Sequence, residues 1–307
     1  MIRVAGLHCN IVCRGWYSNS LPCDGTPALT LRRCSLEDTS RAMTKLAATL
    51  VVTSEAPLAW VMVNRPSARN ALTQEVWKGL AERFDALEKD ATVHVIILRG
   101  AGKEAFISGA DISEFPALRA DFAMTEEYDR LTHAALDAIA TTSKPVIAMI
   151  NGLCFGGGCS VALACDLRFA ADHARFAIPA ARLGLAYPFE RGVESLVNVV
   201  GPTHAADLLL STRAINADDA LRIGLVNRVV PGDQLEAETR DYAMRMAECA
   251  PLTLAAHKAA IAEALKSASE RDAKKLRVLN RRCFNSEDYR EGVAAFLGKR
   301  KPTFSGR

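Results

Sequence analysis

The chain has 307 residues, half of them hydrophobic, enough to build a full core. Charged residues make up 24% and the net charge is only +3, a soluble globular composition that gives no argument for nucleic acid. No apolar run is long enough to span a bilayer, so no membrane partner is expected and the cytoplasm is the default compartment.

Residues 1–42 look foreign to the rest. They hold four of the nine cysteines, show no clear period, and carry five arginines against Asp24, Glu37 and Asp38. Met43 is followed by Thr44-Lys45 and an apolar run, so the expected start is Met43, with a poorly structured and non-native extension upstream. The rival reading is a transit peptide, favoured by arginine and few acids. The expected division is this extension, a core over 43–240, and a helical region over 241–307.

Apolar runs predict strands over 46–52, 58–64, 93–99, 145–150, 166–171 and 225–230. Helical spacing predicts helices over 73–89, 121–141, 158–165, 190–200, 202–211, 216–222, 233–249, 252–267, 269–284 and 286–297. Alternation up to about residue 230 predicts an α/β fold. The helical tail, with no sheet expected for it to cover, must pack on itself, on the core or on another subunit. Its helix end Gly292-Val293-Ala294-Ala295-Phe296-Leu297 is apolar and suits an interface or lid. Arg271, Lys274, Lys275, Arg277, Arg281 and Arg282 crowd one helix, as a solvated face or as an attraction for phosphates.

Three segments carry candidate chemistry. Asn64-Arg65-Pro66-Ser67-Ala68-Arg69-Asn70-Ala71-Leu72 leads into the helix near Thr73. Ala105-Phe106-Ile107-Ser108-Gly109-Ala110-Asp111-Ile112 follows a buried strand, and Asp111 suits a helix cap. Gly152-Leu153-Cys154-Phe155-Gly156-Gly157-Gly158-Cys159-Ser160 joins a buried strand to a buried helix. Consecutive glycines there let exposed backbone N–H groups approach a ligand, or simply make a tight turn. No C-x-x-C pair occurs and no histidine stands at zinc-finger spacing, so no metal site is expected. Cys154, Cys159 and Cys165 read as small core residues, and the isolated histidines, His133 among them, as satisfied or surface groups.

In this order the three segments resemble the NRP…NAL, GAD-type and GGG pattern of the crotonase, or enoyl-CoA hydratase/isomerase, superfamily, over about residues 44–307. The resemblance implies a crotonase-type β-β-α spiral with a helical C-terminal region. It implies an acyl-CoA thioester substrate, no cofactor beyond that coenzyme A, and a homo-oligomer, a trimer or dimer of trimers. It implies an oxyanion hole from the N–H groups of Ala110 and Gly157. Arg69, Ala71, Ser108, Asp111 and Ile112 would border the CoA path, with Phe296 and Lys299 near the CoA site, often that of a neighbouring subunit.

The same resemblance exposes a departure. Hydratases of the family carry two catalytic glutamates, whose positions here are Ser160 and Ala180. Neither can act as a carboxylate base, which puts ordinary hydration in doubt. Gly158-Cys159-Ser160-Val161-Ala162 lacks the final glycine of a nucleophile elbow and has no assignable partners. The segment Arg182 to Gly192 and the C-terminal residues are similar to the methylmalonyl-CoA decarboxylase branch, whose tyrosine at the position of Tyr187 lies near the substrate carboxylate. That branch has a histidine where this chain has Ala110. Tyr187 could orient a carboxylate, with Glu190 or Arg191 assisting, or pack over the acyl chain. A third reading is an acyl-CoA-binding protein that has lost its chemistry.

Overall fold

The structure is a computed structural model that describes residues 49–307. The expected extension 1–42, the start at Met43 and strand positions 46–48 lie outside the described residues.

Among the described residues, ten strands form two sheets: β1 (Leu50–Glu55), β2 (Leu58–Val63), β3 (Val95–Gly100), β4 (Ala105–Ile107), β5 (Val146–Ile150), β6 (Leu153–Phe155), β7 (Leu167–Ala171), β8 (Arg175–Ala177), β9 (Ile215–Asn216) and β10 (Arg228–Val230). The first sheet has the order β1-β2-β3-β5-β7-β10 and is parallel apart from the β1–β2 hairpin. The second has the order β4-β6-β8-β9 and is parallel apart from β9. The passes β3–β4, β5–β6 and β7–β8 each lay one strand in the first sheet and a three-residue strand in the second. The result is the expected β-β-α spiral.

The continuous apolar run of β3 reflects burial on both faces. Ile96 and Leu98 point into the main core, under α1 (Gln74–Lys89) and α3 (Phe122–Thr141), the longer helix beyond the short α2 (Phe115–Leu118). Val95 and Ile97 point the other way, into a second core with Leu58, Ile147, Met149 and Phe169. Leu235 and Ala243 complete that second core. The remaining helices are α4 (Gly157–Ala164), α5 (Glu194–Ser211), α6 (Ala217–Arg222), α7 (Leu235–Ala247), α8 (Pro251–Ala264), α9 (Ala273–Phe284) and α10 (Glu287–Leu297).

Three differences from the sequence reading have clear causes. The second sheet was not expected, because three-residue strands are too short to show a period. The helices expected over 190–200 and 202–211 are one element, α5, bent at Gly201 (φ 76°) and Pro202; residues 189–193 before it include non-helical Glu190 and Arg191. The tail does find a sheet to cover: α7 closes the second face of the large sheet and runs through the expected boundary at residue 240. Beyond it, Phe296 is 84% and Leu297 75% exposed, although Ala295 is buried.

Arg168, on β7, is the buried cation that ties this arrangement together. Its Nε donates to Leu225 O (2.7 Å) and its Nη1 to Cys165 O (3.0 Å), the second closing the C-terminus of α4. Arg168→Met leaves those carbonyls without partners. It is expected to lower stability by about 3 kcal/mol, read by urea unfolding as a fall in midpoint at unchanged slope.

Candidate active site

The site is assembled by the small sheet. Parallel β4 and β6 pair Ile107 with Cys154, and β6 and β8 pair Phe155 with Ala177. Neighbouring strands in a sheet lie about 4.8 Å apart, so whatever follows each strand arrives at the same edge. Three residues beyond Ile107 is Ala110, three beyond Cys154 is Gly157, and three beyond Ala177 is Ala180. A methyl built on Gly157 would sit 3.4 Å from the Ala110 nitrogen and 3.3 Å from Trp77 Cζ2, so no larger residue fits there without displacing the wall.

Backbone bonding aims the Ala110 N–H. Leu72 bridges in parallel to Ala110: its N–H donates to Gly109 O (2.8 Å), and its carbonyl accepts from Asp111 N (2.8 Å). The peptide groups flanking Ala110 therefore face Leu72, and the Ala110 N–H faces the other way. Gly157 opens α4, where a helix has no internal acceptor for its first N–H groups. Neither N–H donates to any described residue. The remainder of α4 is buried all round, so the helix is locked in place behind its first N–H groups.

The first motif acts as a clamp. Asn70 is fully buried in the left-handed region (φ 57°), and its Nδ2 donates to Ala101 O (3.0 Å) and Ala105 O (2.7 Å). Its Oδ1 accepts from Arg65 N, closing the turn. Arg65 donates to Ala71 O and, at 2.9 Å, to the Asp111 carboxylate. Hydrogen bonds from Ser113, then from Arg65, hold the Asp111 carboxyl below the usual range. Asp111 thus fastens the turn and does not line the cavity beside Ala110.

That cavity is about 150 Å³, and Ala110, Gly157, Ser160, Ala180, Tyr187 and Glu190 all border it. Ser108 and Ile112 also line it, while exposed Arg69 and half-buried Ala71 do not. Phe296 and Lys299 lie away from its wall, at the end of α10. Ser160 Oγ lies 2.5 Å from the Tyr187 hydroxyl, which donates to Gly156 O at 3.0 Å. With the phenol proton on Gly156 O, Ser160 is the donor in the shorter bond. Burial raises the Tyr187 pKa well above the ordinary phenol value, so the group stays neutral. Glu190 is the only carboxylate on the cavity wall among the described residues.

Three wall residues escape a linear reading: Arg119, Tyr128 and His133. Tyr128, Thr132 and Leu136 follow at four-residue spacing on α3, so grouping the helix face could have found that side. His133 is one position off that stripe, and nothing local marks Arg119, which follows α2. Tyr128 accepts from Trp77 Nε1 at 3.1 Å, and burial raises its pKa to about 12.

Asn70→Ala removes two side-chain bonds to buried carbonyls and puts alanine into a left-handed conformation. The expected loss is about 3 kcal/mol of stability by chemical denaturation.

Comparison with known proteins gives the family. The family model described as enoyl-CoA hydratase/isomerase matches residues 53–307. The crotonyl-CoA hydratase of Syntrophomonas wolfei is 36% identical over 255 residues, 83% of this chain and 97% of that protein. The 2,3-dehydroadipyl-CoA hydratase of Escherichia coli is 33% identical over 258 residues, 84% of this chain and 99% of that protein. The crystal structure of an enoyl-CoA hydratase/carnithine racemase from Magnetospirillum magneticum superposes with a TM-score of 0.81 at 39% identity, covering 84% of this chain and 96% of that one. With the ordered motifs, the spiral and these full-length matches in agreement, the chain belongs to the enoyl-CoA hydratase/isomerase family of acyl-CoA enzymes.

Proposed function

We propose that this enzyme stabilises the enolate of an acyl-CoA thioester between the N–H groups of Ala110 and Gly157, and that it does so without the two-glutamate hydration chemistry. The observation that carries the reading is the pairing of two unengaged backbone donors at one edge of the cavity with Ser160 and Ala180 on its wall. A glutamate at either position would enter the cavity; serine and alanine supply no base. Donors aimed at an oxyanion act most strongly where water is excluded, and most of this cavity's lining is apolar.

Glu190 is then the candidate for proton transfer. One carboxylate suffices to move a proton along an acyl chain, since the same group can remove it and return it. The neutral Ser160–Tyr187 pair holds the Gly156 carbonyl and so positions the turn that carries the Gly157 N–H.

Decarboxylation of a malonyl-type thioester is the second reading. Loss of carbon dioxide leaves the electron pair in the enolate directly, so no general base is required, only the two donors and a later proton source. The absence of carboxylates at 160 and 180 favours it. A carrier that binds acyl-CoA without turnover is the reading from a different class.

The deciding experiment incubates the protein in heavy water with crotonyl-CoA, a 3-enoyl-CoA and methylmalonyl-CoA, followed by mass spectrometry. Double-bond migration with deuterium uptake is the expected result. Loss of 44 mass units with deuterium gained, the ~44 Da of carbon dioxide, establishes the decarboxylase instead. Efficient hydration of crotonyl-CoA overturns the assignment that excludes it, and binding without turnover leaves the carrier. Two variants accompany it. Gly157→Pro removes one donor at the first helical position; its ring has to displace Trp77 by a few tenths of an ångström, so folding is verified first, and turnover should then fall about 100- to 1,000-fold. Tyr187→Phe keeps the packing but breaks both hydroxyl contacts. It should lower kcat about tenfold with little change in KM, as loss of a positioning group does.

A further inference from the structure

The cavity has a polar wall that the enolate chemistry leaves unexplained. Arg119 Nε and His133 Nε2 are both buried and have no hydrogen-bond partner among the described residues, and both side chains line the cavity. Such orphaned groups are uncommon, because each forfeits its bonds to water and gains nothing in return. The Nε–H of arginine can only donate, so its missing partner must be an acceptor.

Arg119 Nη2 pairs with Asp129 at 2.6 Å, and the guanidinium carbon lies 4.6 Å from the Tyr128 ring centroid and 5.1 Å from that of Phe115. The side chain is therefore held in place with its buried Nε donor unpaired among the described residues. Tyr128 accepts from Trp77, and its own proton has no acceptor among the described residues. Its raised pKa, about 12, keeps that proton available. The charged neighbours of His133 lie on the outer side, where Glu126, Asp129, Arg130 and Asp137 border a surface groove with it; inside the cavity the one carboxylate is Glu190.

We infer that the wall of Arg119, Tyr128 and His133 recognises an oxygen acceptor carried on the acyl group, so that the substrates are oxygenated acyl-CoA thioesters rather than plain alkyl ones. The inference rests on the reading that the thioester carbonyl sits on Ala110 and Gly157. From there an acyl group crosses a cavity of about 150 Å³ to reach this wall. A plain alkyl end leaves both nitrogens buried and unpaired, which is how a polar site rejects an analogue that lacks the polar atom. Because Asp129 already balances the Arg119 charge, the acceptor need not be charged: a carbonyl or a carboxylate oxygen serves, and the test separates them.

Calorimetry with the full chain compares three saturated thioesters of equal length: pentanoyl-CoA, 4-oxopentanoyl-CoA and glutaryl-CoA. At least one oxygenated thioester should bind about tenfold more tightly than pentanoyl-CoA, and which one does so identifies the acceptor. Arg119→Lys, which keeps the charge but loses the Nε donor, and His133→Phe should each bring that affinity ratio down towards unity. If one variant fails to fold, the other carries the comparison. Equal affinities in the parent protein, or a ratio that survives both substitutions, overturn the inference. Absence of binding by all three thioesters overturns it together with the thioester reading beneath it, an outcome distinct from equal binding.

Discussion

The register of the small sheet is the constraint on which the rest depends. Ile107 opposite Cys154, and Phe155 opposite Ala177, bring three stretches far apart in the chain to one edge. The Ala110 and Gly157 N–H groups are neighbours because their strands are neighbours. A slip of one residue between β4 and β6 would turn a donor away from the cavity, and one between β6 and β8 would displace Ala180. The large sheet, with cores on both faces, holds the short strands in that register; three-residue strands could not do so alone.

Buried polar groups then set the angles. Asn70 fixes the turn before Leu72, Leu72 fixes Gly109 and Asp111, and Arg65 closes the loop through the Asp111 carboxylate. On the other side, Tyr187 holds the Gly156 carbonyl and Arg168 closes the far end of α4. Asn70, Tyr187 and Arg168 act on backbone carbonyls, as Arg65 does at Ala71 O. Backbone N–H donors need no particular side chain, so the residues around them can change while the donors persist.

The cavity itself divides into two regions of different character. Near the glycines lie two backbone N–H groups without a partner among the described residues, beside the hydrogen-bonded Ser160–Tyr187 pair. At the α3 side, Arg119 and His133 offer nitrogens with no partner. The chemistry proposed for the first region and the recognition proposed for the second are separate statements about one substrate, joined by the length of its acyl group.

The sequence by itself determined the class, the ordered turns and most long elements, because runs of five or more residues carry a hydrophobic period. β3, β5, β7, α1 and α3 were all legible, with boundaries within two residues. Ser160 and Ala180, singled out by their positions in the motifs, both lie on the cavity wall. The sequence could not show the four-stranded sheet, whose strands are two or three residues long, nor that α7 covers the outer face of the large sheet. It read Asp111 as a helix cap, which it is, but could not show that the same carboxylate also bonds Arg65, 46 positions away. It read His133 as satisfied or on the surface, whereas its Nε2 is buried and unpaired. Tertiary structure alone decided these points, for one physical reason. Burial and hydrogen-bond partnership are properties of pairs of residues, and here the pairs are separated by tens of positions, beyond the reach of any local pattern.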